Sequence, residues 1–126
     1  MKQLVALCLF AFAATPAFAL DEEAERYVKL ALQLGEYDPD YVDAYLGPPE
    51  WAQSAKENLK SKAELSAEIA ALFSDLRAMS PDDPDSMKRH KALLKNVRAM
   101  DARMRMANGE TLQRPNIQTR LNSDRK

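Results

Sequence analysis

The sequence has few of the residues on which most catalytic and metal sites depend. Its 126 residues include one histidine, one cysteine and three glycines. One histidine and one cysteine cannot make a Cys/His zinc site, a disulfide framework or an iron–sulfur cluster. Neither a glycine-rich dinucleotide loop nor a phosphate-binding P-loop is present. A chain of this length has room for one small domain, and its net charge of −1 gives no general argument for binding nucleic acid.

The N-terminus has the pattern of a secretory signal peptide. Lys2 supplies a positive charge, residues 4–14 form an apolar run, and small residues precede a cleavage point after Ala19. We therefore predict that residues 1–19 are removed and that the protein is exported to the periplasm or the extracellular medium. An uncleaved membrane anchor is the alternative, but the apolar run is shorter than the roughly 20 residues that span a bilayer. The only cysteine lies in this leader, so the mature chain forms no disulfide.

The first part of the mature chain contains signals for three helices. From Glu22 to Tyr37, apolar residues recur every three or four positions, which is the helical period. The Asp-Pro pair at 38–39 predicts an N-cap and a short second helix that ends at Gly47. The two prolines at 48–49 predict a third helix that runs to Leu59.

Two further helices have clear start signals. Ser61 and Glu64 have the spacing of a capping box and precede an amphipathic stripe that reaches Met79. Asp83, followed by a proline, predicts the start of the last helix, which the Asn-Gly pair at 108–109 ends.

These signals predict an all-α fold. No segment alternates polar and apolar residues as a half-buried strand does. We expect a small antiparallel bundle of four to five helices over residues 20–109. The polar tail, residues 110–126, has no apolar periodicity, and we expect it to be disordered.

The net charge is near zero, but acidic and basic residues are concentrated in different parts of the chain. Residues 20–83 carry 15 acids and 6 bases, a balance of −9, whereas residues 84–126 carry 4 acids and 11 bases, a balance of +7. We expect the acidic helices to pack against the basic one or to share a solvated surface with it, and the alternative is a dedicated face for an anionic ligand. The cations near one side of the last helix are Lys88, Lys91, Lys95, Arg98 and Arg105. Nucleic acid is a poor partner for them, because no aromatic residues are interleaved for base stacking.

The lone histidine is the first candidate for chemistry. His90 borders the apolar stripe of the last helix. One interpretation is a general base or a single metal ligand, and the other is a structural histidine held at the edge of the core. We favour the core-edge interpretation. No H-E-x-x-H motif and no nucleophile elbow is present.

The acids Asp38, Asp40, Asp43 and Glu50 invite comparison with a calcium loop. The EF-hand pattern requires oxygen ligands at its fifth and twelfth positions, where this sequence has valine and proline. Helix capping explains the acids better. The sequence thus assigns no catalytic, cofactor-binding or metal-binding residue.

Aromatic residues concentrate between Tyr37 and Trp51. This segment holds three of the four tyrosines, the only tryptophan and three prolines. One interpretation is an aromatic-lined groove for a sugar or a peptide. We favour the other, a rigid helical corner whose aromatic rings pack on neighbouring helices with their polar tips at the surface.

Two runs of sequence carry a resemblance to a known family. The run ERYVKLALQLGEYDPDYVDAYLGPPEW, residues 25–51, resembles the start of a group of exported bacterial proteins that is similar to the DUF885 class of zinc-dependent peptidases. The later run LLKNVRAMDARMRMANGETL, residues 93–112, fits the helix that follows in such proteins. In those relatives a His/Glu zinc motif lies further along, and no position here matches it. The resemblance therefore implies no zinc ligand and no catalytic residue in this chain.

The resemblance implies that this chain is the non-catalytic N-terminal helical portion of an exported metallopeptidase-like hydrolase and is inactive alone. Its partner would be the remainder of that protein, or another copy of itself bound through exposed apolar helix faces, and an exposed apolar patch is expected. The alternative is a self-contained small periplasmic helical module that binds a partner or oligomerises. That alternative predicts a compact monomer with a buried core. After cleavage of the leader, neither possibility includes a stable membrane span.

Overall fold

A computed structural model describes residues 16–111, which contain four α-helices and no strand. The predicted all-α class is therefore confirmed. The helices are α1 (Pro16–Tyr37), α2 (Pro49–Glu57), α3 (Lys62–Ala78) and α4 (Pro84–Ala107). The apolar run of the leader and almost all of the polar tail lie outside the described residues.

The helices α1, α3 and α4 form a three-helix unit, and α2 packs on α1. Lys62 at the start of α3 donates to the carbonyl of Ala107 at the end of α4, so these two helices are antiparallel. Arg26 of α1 contacts Asp75 near the end of α3, which makes that pair antiparallel as well. The helices α1 and α4 consequently run in the same direction.

A single core lies between α1, α3 and α4. It consists of apolar residues at the predicted three- and four-residue spacings, and α2 adds only Ala55 to the buried residues. The core residues are Leu20, Leu30, Leu34, Leu65, Ile69, Leu72, Leu76, Leu93, Val97, Met100 and Met104.

Helix α1 begins earlier than the sequence predicts. We expected it to start at Glu22, but it starts at Pro16 and continues through the bond between Ala19 and Leu20. Proline is favoured in a first helical turn, and Leu20 is only 1% exposed, so packing holds the upstream turn in helical form. Asp21 therefore lies in the second turn of the described helix and pairs with Arg89 of α4.

The predicted second helix is wrong. Residues 38–48 form turns and irregular backbone, and the chain becomes helical again only at Pro49. Asp38 does not cap a helix, because its carboxylate binds Arg103 of α4. A segment of this length also has too few backbone hydrogen bonds to offset the cost of helix nucleation without favourable packing.

The predicted start and stop signals of α3 and α4 are confirmed. The backbone N–H of Glu64 donates to Ser61 Oγ at 3.3 Å, and the N–H of Ser61 donates to Glu64 Oε2 at 2.9 Å. The Ser61 hydroxyl also donates to Glu64 Oε2 at 2.7 Å, and this bond, together with that of the Ser61 N–H, lowers the pKa of Glu64. Asp83 accepts from the N–H of Ser86 at 2.9 Å, and hydrogen bonds from the side chain and backbone of Ser86 lower the pKa of Asp83. After α4, Gly109 adopts a φ of 85°, a left-handed conformation that glycine tolerates best.

Candidate functional site

The segment from Asp38 to Pro48, the corner loop, is fixed at its first residue by an ion pair. Arg103 donates from Nε to Asp38 Oδ2 at 2.5 Å and from Nη2 to Oδ1 at 3.1 Å. The guanidinium lowers the pKa of Asp38, and the carboxylate raises the pKa of Arg103. No local sequence pattern indicates a role for Arg103, because its partner lies 65 residues away.

Tyrosines in and beside the corner loop pack on the bundle or make hydrogen bonds. Tyr41 packs against the core, and its burial raises its pKa. Tyr45 donates its hydroxyl to the Pro48 carbonyl at 3.1 Å, and Tyr37 donates to the Lys60 carbonyl at 2.6 Å. Tyr37 and Tyr41 thus pack on the bundle as predicted, but the backbone of the corner is irregular, so the predicted helical corner is wrong.

The corner loop approaches α1 closely and presents one apolar side chain to solvent. A Cβ at Gly35 would lie 3.3 Å from Val42 Cγ2, so the glycine makes room for the loop to pack against the helix. Leu46, in contrast, is 99% exposed, the largest exposure among the large apolar residues of the described chain. The loop therefore combines anchored tyrosines with an uncovered leucine.

A groove runs along α1 between α2 and α3. Two adjoining cavities, of about 330 and 470 Å³, share Lys29, Gln33 and Lys60 in their linings. Trp51 of α2 lines the larger cavity. This is the place where the aromatic-groove interpretation would put a sugar or a peptide.

Most polar groups of this groove already have partners within the protein. Lys29 pairs with Glu25 and lies 4.8 Å above the Trp51 ring, so one face of the indole is occupied. The Gln33 amide donates to the Asn58 carbonyl and accepts from the Lys60 N–H. These contacts connect the helices on either side of the groove, and they leave few polar groups without a hydrogen-bond or ion-pair partner to orient a ligand.

His90 occupies the edge of the core, as we favoured from the sequence. Its Nε2 lies 2.6 Å from the Leu76 carbonyl oxygen at the end of α3. Because a carbonyl oxygen can only accept, Nε2 carries the proton and donates it. The bond joins α4 to the last turn of α3. This half-buried ring therefore has a structural role in the bundle.

The acids considered for calcium do not form a loop of ligands. Asp38 faces Arg103, and its carbonyl accepts from the N–H of Tyr41 to close a turn. Within residues 16–111, no group of three or more His, Cys, Asp or Glu side chains is placed to hold a metal ion.

Helix α4 carries most of the exposed positive charge. Two of its cations pair with acids from elsewhere, Arg89 with Asp21 at 2.5 Å and Arg103 with Asp38. The expected packing of acidic segments against the basic helix is thus confirmed at these two positions. Arg105 pairs with Glu110 just beyond the helix.

Four further cations of α4 form what we call the outer face: Lys88, Lys91, Lys95 and Arg98. All four are exposed. Their spacings of three, four and three residues place them along one side of a helix. Among the residues that the structure describes, no carboxylate lies within ion-pair distance of them. The fold therefore leaves a line of four uncompensated positive charges.

No helix within the described range is long and apolar enough to cross a bilayer. Comparison of the chain with models of protein families, with curated proteins and with solved structures found no match.

Proposed function

We propose that the chain is a non-catalytic helical binding module at the N-terminal end of an exported, metallopeptidase-like hydrolase. In this proposal the corner loop contacts the remainder of that protein. The observation that carries the proposal is Leu46, which is 99% exposed on a loop that the Asp38–Arg103 ion pair and the packing of Tyr41 attach to the bundle. Any zinc would belong to the remainder, and we assign no catalytic residue to this chain.

A fixed loop that presents a leucine suits a docking contact. Covering a fully exposed leucine stabilises a complex by about 1.5–3 kcal/mol. The corner loop loses little conformational entropy on binding, because Asp38 and Tyr41 already hold it against the bundle. The corner loop lies within residues 25–51, the run that carries the sequence resemblance to the peptidase relatives.

The test begins with the DNA that follows the Lys126 codon. If a His/Glu zinc motif is encoded there, the encoded polypeptide is produced with an affinity-tagged chain that starts at Leu20, and copurification is measured. We expect Leu46→Ser to abolish copurification without lowering the unfolding temperature, because this side chain is almost entirely solvated. Leu59→Ser, at a leucine that is 39% exposed outside the loop, is the matched control and should retain binding. Absence of a zinc motif in every frame, or equal binding by Leu46→Ser, would contradict the proposal.

A second candidate function is a self-contained binding or oligomerisation module. The observation in its favour is the continuous core, whose residues run from Leu20 to Met104 and join α1, α3 and α4. Thermal unfolding and sedimentation of the chain from Leu20 test this candidate. A cooperative transition of a monomer or a defined oligomer supports it, and a non-cooperative, aggregating chain rules it out.

Both candidate functions include export, which we propose on the leader sequence. Because α1 continues through the Ala19–Leu20 bond, cleavage there must precede the folding of this helix. Mass spectrometry of the protein from a periplasmic extract should show Leu20 as the first residue. A folded cytoplasmic chain that keeps the leader would overturn this part.

A further inference from the structure

We propose that the outer face of α4 docks the protein on an anionic lipid bilayer. Lys88, Lys91, Lys95 and Arg98 would contact phosphate groups of the lipid headgroups, with the helix lying along the surface. This inference rests on the surface of α4 and does not depend on the proposed hydrolase relationship.

The geometry of α4 suits a flat partner. The outer face extends over about 15 Å, from the rise of 1.5 Å per residue across ten residues. The opposite side of the same turns carries Leu93, Val97 and Met100, all in the core. The helix cannot rotate to hide its cations without exposing these residues, so the fold keeps the positive line directed outward.

The acids of the neighbouring helices are occupied elsewhere. On α3, Glu68 pairs with Lys60 and Asp75 pairs with Arg26, both on the side of α1. On α1, Asp21 pairs with Arg89, which lies outside the outer face.

The two acids of α4, Asp85 and Asp101, do not pair with the outer face. None of the ion pairs among the described residues joins either acid to a cation of this face. Arg105 pairs with Glu110, and we therefore leave it out of the docking surface.

A bilayer fits these observations better than a second copy of the chain. Six of the acids in residues 20–83 are already in ion pairs: Asp21, Glu23, Glu25, Asp38, Glu68 and Asp75. The exposed acids that remain include Asp40 and Asp43 in the corner loop, Glu50 on α2 and Asp82 before α4, so they belong to several elements and not to one helix face. Met87 is 43% exposed one residue before Lys88 and adds an apolar contact at the start of the outer face.

Vesicle binding of the chain that starts at Leu20 tests the proposal. The apolar leader must be absent, because it would itself enter a bilayer, and every described core residue lies at or after Leu20. This chain has a net formal charge of −2, the sum of −9 and +7, so overall charge does not favour an anionic surface. We expect sedimentation with vesicles of equal phosphatidylglycerol and phosphatidylcholine at low salt. Binding should weaken as salt rises and should be absent with phosphatidylcholine alone.

Two matched double variants test whether the cations of the outer face, and not lysines elsewhere, bind the vesicles. The double variant Lys91→Gln/Lys95→Gln should bind phosphatidylglycerol vesicles about 30-fold more weakly, since each cation near an anionic surface contributes about fivefold. The double variant Lys29→Gln/Lys56→Gln removes the same charge from α1 and α2 and should bind as the unmodified chain does. Circular dichroism verifies that both variants keep the helical fold.

Several outcomes would overturn the proposal. One is no binding to phosphatidylglycerol vesicles at low salt, and another is an equal loss in both double variants. Full displacement by millimolar inorganic phosphate would identify a site for the free anion, and equal binding of a short DNA duplex would identify a general polyanion surface. A salt-sensitive dimer that only Lys91→Gln/Lys95→Gln dissociates would assign the outer face to a second copy.

Discussion

At the scale of single residues, the contact between Asp38 and Arg103 determines the shape of the corner. Asp38 immediately follows α1, and a bidentate pair with Arg103 connects it to the last turns of α4. Two parallel N–H···O bonds fix direction as well as distance, which a lysine would not do. The pair therefore determines where the chain leaves α1, and the remainder of the corner loop follows from that exit.

This pair predicts a pH-dependent stability difference. Arg103 lowers the pKa of Asp38 below its ordinary value of 3.8, so the carboxylate stabilises the folded state above that pH. The stabilisation is lost as pH falls through the lowered pKa of the folded state, because protonation removes the ion pair. We expect Asp38→Asn to lower the unfolding temperature more at about pH 7 than at a pH below 3.8, and the difference should shrink as the pH falls further. Thermal melts of both proteins across this range measure the difference.

The matched control for this prediction is Asp43→Asn, which removes an exposed carboxylate from the same loop. It should change the unfolding temperature little at either pH. A constant difference between Asp38→Asn and the unmodified chain at all pH values would contradict the ion-pair explanation.

At the scale of helices, boundaries were predictable wherever the signal was local. Ser61 and Asp83 accept from backbone N–H groups within the next three residues, and Gly109 ends α4 just after its last turn. Asp38 does not begin a helix, although it is followed by a proline just as Asp83 is. A capping interaction competes with every other partner available to the carboxylate, and the Asp38 carboxylate binds Arg103, 65 residues away.

The capping box of α3 gives a prediction at this scale. Ser61→Ala removes the acceptor for the Glu64 N–H and should lower the free energy of unfolding by about 1 kcal/mol. Chemical denaturation measures the change. Ser74→Ala, at an exposed position within the same helix, is the control and should have almost no effect. Equal losses in the two variants would show that the cap does not contribute.

At the scale of the whole molecule, the core and the charges occupy different sides of the same helices. The core consists of one apolar stripe from each of α1, α3 and α4, whereas the four unpaired cations of α4 lie on the exposed side of that helix. The core accounts for the fold, whereas the exposed surfaces, the corner loop and the outer face, carry the two binding proposals. Replacing Leu46 of the corner loop or a cation of the outer face should therefore leave stability nearly unchanged, because these side chains are exposed.

Leu20 provides a prediction for the whole core. It follows the predicted cleavage point directly and yet is 1% exposed against the three-helix core. In the chain that starts at this residue, Leu20→Ala should lower the free energy of unfolding by about 2 kcal/mol. This value is at the lower end of the range for a buried leucine, because the helix terminus can relax into the space that the side chain leaves. Chemical denaturation measures the loss, and Leu59→Ala, at a 39% exposed leucine, should cost much less. No loss in Leu20→Ala would show that the first turn of the mature chain is frayed.

The sequence by itself determined the helical class, the apolar stripes and the caps of α3 and α4, because these depend on residues within three or four positions of one another. It also determined the separation of charge along the chain. Only the tertiary structure decided that residues 38–48 are a loop, that α1 begins at Pro16, and which cations of α4 lack a partner. Those outcomes depend on contacts between distant residues, such as Asp38 with Arg103 and Asp21 with Arg89, which local patterns do not encode.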